Sequence, residues 1–178
     1  MTAAYFDGAA DVTFLTSDDV LASSPSQRSF GRGVGPGLSA RAGLEFVDIP
    51  LRPYFHLRYA HPVWVGGPYA DGPTRHSHLV DIGLGGDLQL QTGSFRHGPG
   101  LSGSWFSSHL AMSDSTAADK HVSFSGFRVD MTYRLDLNRT VSVFGGGGYL
   151  KPLGYGWGGF HYWTACLGAR VVLGEVRL

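Results

Sequence analysis

Lysine is nearly missing from this chain: Lys120 and Lys151 are the only two. Charged residues of both signs make up 16% of the sequence, where a soluble surface usually carries roughly a quarter or more. A water-facing sheet dresses its solvent face and edges with such residues, so the shortage argues against an ordinary soluble surface. Basic and acidic residues balance at 14 each, and nothing steers the chain toward nucleic acid. The single cysteine, Cys166, excludes an intrachain disulfide framework and a Cys-cluster metal site. No apolar run approaches the ~20 residues of a membrane helix, which excludes helical spanning and leaves a spanning barrel open. The N-terminus, Met1 to Asp7, does not read as a signal peptide, so an exported protein would be represented here in a mature or recombinant form.

What is abundant is glycine, with 27 residues, and aromatics, with 4 Trp, 8 Tyr and 11 Phe. They sit in stretches of strict alternation. From Val122 to Leu135, one parity carries Phe127, Val129, Met131, Tyr133 and Leu135, and the other Arg128, Asp130, Thr132 and Arg134. A period of two with one apolar and one ionic face is a strand. The same pattern predicts strands over 9–15, 35–46, 52–60, 76–91, 100–112, 140–150 and 159–173. With the first, these make eight. The segments between them alternate in character. Residues 47–51, 92–99 and 136–139 read as tight turns. Residues 16–33, 61–75, 113–120 and 151–158 read as looser, polar or Gly/Pro-rich loops. An even strand count with short turns at one rim and longer loops at the other is the plan of an up-and-down transmembrane barrel.

The fold expected is therefore all-β: one domain over residues 1–178, an eight-stranded antiparallel up-and-down transmembrane β-barrel with a polar lumen. Arg41, Glu45, Arg58, Asp81, Asp87, Arg128, Asp130, Arg134 and Arg170 all fall on the parity opposite the aliphatic residues. In a lipid-embedded barrel these would pair inside the lumen while the aliphatic face meets hydrocarbon. A soluble barrel that binds an apolar ligand would invert the two faces. Small residues such as Gly43, Gly85, Gly146 and Gly148 suit a narrow lumen that must admit arginine. Aromatics near the expected strand ends, Tyr54, Tyr59, Trp64, Trp105, Tyr133, Tyr149, Tyr155, Trp157 and Trp163, suit interfacial girdles.

By topology and patterning, from about Ala9 to Leu178, the chain resembles the small eight-stranded outer-membrane β-barrels of the OmpA transmembrane-domain type. It departs from them in ending on Leu178, where such proteins often end on an aromatic residue used in assembly. The resemblance implies an outer-membrane location. It also implies outer-membrane lipid as a neighbour and a structural or interaction role through loops and envelope contacts. Another envelope protein or an extracellular ligand would be met through the loops, where Trp64, Val65 and Tyr69 form an apolar candidate contact. An eight-stranded barrel filled by side chains leaves no large open pore.

Three candidate sites carry chemistry. His121 and Ser123 share the aliphatic parity near a rim. This spacing resembles the small outer-membrane lipid A deacylases, in which His121 would be the base and Ser123 the nucleophile. That family's neighbouring asparagine is replaced by Phe124, and no acid partner for the histidine is evident. Ser107, Ser108 and His109 form a second Ser/His coincidence. His76 and His78, with Asp81, could be read as metal ligands, but no carboxylate or cysteine accompanies them at ligand spacing. No metal and no cofactor is expected. Gly145 to Gly148 is not a phosphate loop, since no Lys-Ser/Thr follows and the run lies inside a strand.

Overall fold

The computed structural model describes residues 2–17, 32–46, 48–65, 75–114, 117–153 and 162–177. Among them eight strands close into one antiparallel barrel. They are β1 (Thr2–Ser17), β2 (Arg32–Phe46), β3 (Leu51–Ala60, resumed at Val63–Val65), β4 (Arg75–Leu88, resumed at Leu90–Thr92), β5 (Phe95–Asp114), β6 (Ala117–Asp136), β7 (Val141–Leu153) and β8 (Tyr162–Arg177). Each strand pairs with its neighbour in sequence, and β1 pairs with β8 from Ala3↔Arg177 to Ser17↔Tyr162. That last pairing removes both free edges, the liability of any open sheet.

The alternation decides which way each face points. Phe127, Val129 and Met131 are 54, 49 and 67% exposed, whereas Arg128 and Asp130 are 1 and 9% exposed. The apolar face looks outward and the ionic face inward. A soluble ligand-binding barrel requires the reverse, so the fold is a transmembrane-type barrel with a polar lumen.

The tight turns lie at the end of the barrel that also holds both termini, since Thr2 pairs with Phe46 and Ala3 with Arg177. At Asn138 the side-chain oxygen accepts hydrogen bonds from the backbone N–H of Thr140 (2.8 Å) and Val141 (2.7 Å), which closes the β6–β7 connection locally. The β4–β5 turn passes through Gly93 at φ 61°, a left-handed conformation that glycine adopts without a Cβ clash. Inside, a Cβ on Gly148 would stand 2.1 Å from Asp130 Oδ1. Glycine here makes room for a luminal carboxylate.

Several strands outrun their expected bounds. β1 begins at Thr2, not near Ala9. The 113–120 loop is largely strand, because β5 continues to Asp114 and β6 resumes at Ala117. At 20 residues each, these two far exceed the ~9–11 that a tilted crossing needs, and their surplus lies at the loop end. The 61–75 segment likewise opens with three strand residues, Val63–Val65, paired to Arg32–Val34. Tyr54 is no girdle residue. It is 4% exposed and shares the luminal parity of Arg52, His56 and Arg58. Tyr59, Trp105, Tyr133 and Trp163 do face outward, whereas Tyr155 and Trp157 lie outside the described residues.

Candidate functional site: lumen and outer wall

The lumen is organised in two ionic layers beneath an apolar one. Nearest the turn end, Asp87 Oδ2 receives Arg41 and Arg134 (each 3.2 Å) and Arg170 (3.4 Å). Arg134 reaches Asp136 at 2.9 Å and Arg170 reaches Asp7 at 3.5 Å, so the second nitrogens of those guanidiniums also meet a carboxylate. Arg41 packs its guanidinium over the Tyr54 ring at 4.0 Å and Arg52 over the Tyr5 ring at 4.1 Å. Arg52 also meets the half-exposed Glu45 at 3.3 Å.

The middle layer is centred on Arg128. Its Nε and Nη2 donate to the two oxygens of Asp130 at 2.5 and 2.8 Å, and its Nη1 donates to Asp81 at 3.1 Å. A two-pronged guanidinium–carboxylate pair of this kind is the strong form of the interaction. His56 Nε2 stands 3.4 Å from the other Asp81 oxygen. Arg58 donates to Asp11 (2.6 Å) and to the Thr13 hydroxyl, which itself donates to Asp11 (2.8 Å). A cavity of about 40 Å³ lies among these residues, roomy and polar enough to hold water.

All nine ionic residues named from the parity stand in this lumen. The ionic set named from the parity left out Asp7, Asp11, Arg52 and Asp136, and also His56, which alternation with Phe55, Leu57 and Tyr59 puts on the same face as Arg58. Asp11 was readable, since it alternates with Ala10 and Val12. Asp7 fell outside a strand begun too late, and Asp136 was assigned to the turn.

Toward the loop end the luminal parity turns apolar. Leu15, Ala60, Leu79, Phe106, Phe124, Leu150 and Tyr162 form one buried cluster. Phe106 meets Phe124 edge to face at 6.0 Å, and Phe124 stacks on Tyr162 at 6.1 Å. The void left among them and their neighbours is about 10 Å³. The barrel is thus charged through its lower and middle reaches, with room for water in the middle, and plugged with hydrocarbon and aromatic rings above.

Among the described residues the outer wall carries its polar groups near the rims. The Ser123 hydroxyl and His109 Nδ1 share a hydrogen bond of 2.7 Å, because the β5–β6 register sets those two residues opposite each other. This brings together one member of each Ser/His coincidence in the sequence. The His121 side chain lies outside the described residues, and its backbone pairs with Ala111. His76 and His78 face outward, while Asp81 points into the lumen, so the three do not converge. Of the apolar loop candidates, Trp64 and Val65 are placed by backbone alone, and Tyr69 lies outside the described residues.

No family model matches the chain, and no curated protein matches it in sequence. Solved structures do. Neisserial surface protein A (NspA) is similar over 95% of this chain and 97% of its own, with a TM-score of 0.62 at 18% identity. Ail, the attachment invasion locus protein of Yersinia pestis, is similar over 98% of both chains, with a TM-score of 0.54 at 9% identity. Ail in complex with the heparin analogue sucrose octasulfate gives 98% and 99% coverage, a TM-score of 0.53 and 8% identity. At these identities the likeness is one of fold, and the fold is that of small eight-stranded outer-membrane barrels.

Proposed function

We propose that this chain sits in the outer membrane as a small barrel with a structural or interaction role. It acts through its loops and envelope contacts and does not form a large open pore. The observation that carries this reading is the pairing of an apolar outer wall with a lumen filled by matched charges and an apolar plug. A wall of that composition is stable only against hydrocarbon, and a lumen so filled leaves the loop end and the wall as working surfaces. Lipid would contact the wall. A second envelope protein or an extracellular ligand would be met at the loop end, a role in keeping with the attachment protein and its heparin-analogue complex among the similar structures.

The test is a charge placed on the wall. Met131 lies between the outward rings of Phe127 and Tyr133 on β6. Met131→Arg should lower stability in lipid vesicles by about 2–4 kcal/mol, the cost of an arginine near the bilayer midplane. Urea titration of the refolded protein reads this directly, and an unchanged midpoint would mean that water, not lipid, covers the wall.

One observation favours a second reading, a lipid-modifying hydrolase: the 2.7 Å contact between Ser123 and His109 on the outward face. The histidine would accept the hydroxyl proton as Oγ attacks an acyl ester and pass it to the alcohol that departs as the ester C–O bond breaks, and water would then hydrolyse the acyl-serine to release the fatty acid. In this geometry the base is His109, in place of the sequence candidate His121. Lipid A or phospholipid incubated with the protein should release fatty acid, and the Ser123→Ala and His109→Ala variants should release none. Equal yields from all three proteins would remove the hydrolase.

A further inference from the structure

Just beyond the Tyr59 ring, on the loop side of the outer wall, three histidines gather from two strands. His61 follows the last residue of the first stretch of β3, held by a hydrogen bond from its backbone N–H to Pro36 O (3.0 Å). His76 and His78 alternate along the start of β4 and so share its outward face. The His61 and His78 rings lie 4.7 Å apart, and the His76 ring stacks on His61 at 5.5 Å and 23°.

The nitrogen positions are more telling than the ring contacts. His61 Nδ1 and His78 Nδ1 are 3.3 Å apart. The Tyr59 hydroxyl lies 2.7 Å from the same His78 nitrogen. The His78 nitrogen faces both groups, so a metal bound between the two imidazoles would take the place of these hydrogen bonds. Two imidazole nitrogens at this separation match the edge of a tetrahedral zinc site. With Zn–N bonds of ~2.0–2.1 Å, ligand nitrogens lie about 3.3–3.4 Å apart. Among the described residues no three ligand groups stand ready-made around one point. His61 and His78 bring two nitrogens together, and His76, its ring stacked on His61, is the nearest third imidazole.

We propose that His61 and His78, completed by His76, form a binding site for a divalent transition-metal ion of the zinc type at the loop-end rim of the barrel. Imidazole suits zinc, copper and nickel over the harder cations that prefer oxygen. The other titratable groups facing this cluster are the Tyr59 hydroxyl on β3 and His109 on β5, the register partner of His78. The site stands apart from the lumen and from the proposed structural role, and neither depends on it.

The experiment is a cobalt(II) titration of the refolded, tag-free protein in detergent micelles. It is read by the visible absorption of tetrahedral cobalt, with zinc(II) added to displace it. One saturable site is expected, with binding that weakens in acid, because a protonated imidazole cannot hold a metal. His61→Ala and His78→Ala should each weaken it by roughly tenfold or more, since even indirect supports of a metal site are worth ten- to a hundredfold. His76→Ala should weaken it too. His97→Ala removes a histidine from the opposite rim, where it contacts Tyr133, and should leave binding unchanged. Heat-dependent gel mobility checks that each variant folds. Absence of saturable binding, retention in both His61→Ala and His78→Ala, or equal loss in His97→Ala would each overturn the site.

Discussion

Replacing Arg128 with leucine is expected to destabilise the folded barrel by about 3–5 kcal/mol, the cost of stranding a buried charge whose partner has been removed. Arg128 is 1% exposed, and so is the Asp81 carboxylate it holds. Three of its N–H groups are spent on Asp130 and Asp81. Without the guanidinium, two carboxylates face each other in a narrow lumen. The Thr164 hydroxyl at 3.4 Å from Asp130 and His56 at 3.4 Å from Asp81 remain close by, and Arg58 stands opposite Asp81 on the neighbouring strand. Arg128→Lys keeps the charge and loses the two-pronged geometry, so it should cost less. Joining Arg128→Leu with Asp130→Leu removes one of the stranded anions and should cost less than the sum of the two single changes. Urea titration in lipid vesicles measures all of these. A loss below about 1 kcal/mol for Arg128→Leu, the range of exposed ion pairs, would mean that water reaches the pair freely.

Much of this network was legible in advance because alternation survives uncertainty in strand ends. A boundary misjudged by several residues, as in β1, moves no residue to the other face. The nine ionic residues needed only their parity, and Arg128 and Asp130 declare theirs between Phe127, Val129 and Met131. Features that depend on register were out of reach. Nothing in the spacing of the sequence sets His109 against Ser123, 14 residues away. His61 is separated from His76 and His78 by a stretch that reads as loop from its prolines and glycines. The apolar plug was obscured for a different reason. At the loop end both parities are apolar, as in the adjacent Trp105 and Phe106, so alternation fades where the lumen changes character. The length of β5 and β6 was hidden for the opposite reason: residues 113–120, Ser-Asp-Ser-Thr-Ala-Ala-Asp-Lys, have no apolar parity and so read as a polar loop.

That adjacent pair gives the sharpest test of the plug. Phe106 is fully enclosed, and its neighbour Trp105, 43% exposed, points the opposite way and packs edge to face on Phe127 at 5.0 Å. Phe106→Ala removes a ring from the centre of the cluster, where its contacts run through Phe124 to Tyr162. A loss of about 3–5 kcal/mol follows from the forfeited burial and the cavity left behind. The second consequence concerns permeation. Below the plug the lumen is lined by paired arginines and aspartates around space for water, so the apolar layer is the part of the path that an ion cannot enter while hydrated. Removing its central ring joins that wet interior to the loop side. Planar bilayers containing Phe106→Ala should therefore show small conductance steps absent from the parent protein, while Trp105→Ala, which alters only the wall, should stay at the baseline. Steps of equal size in the parent and in Phe106→Ala would mean that ions pass the rings already, and the barrier would then have to be sought among the charges around Arg128 and Asp87.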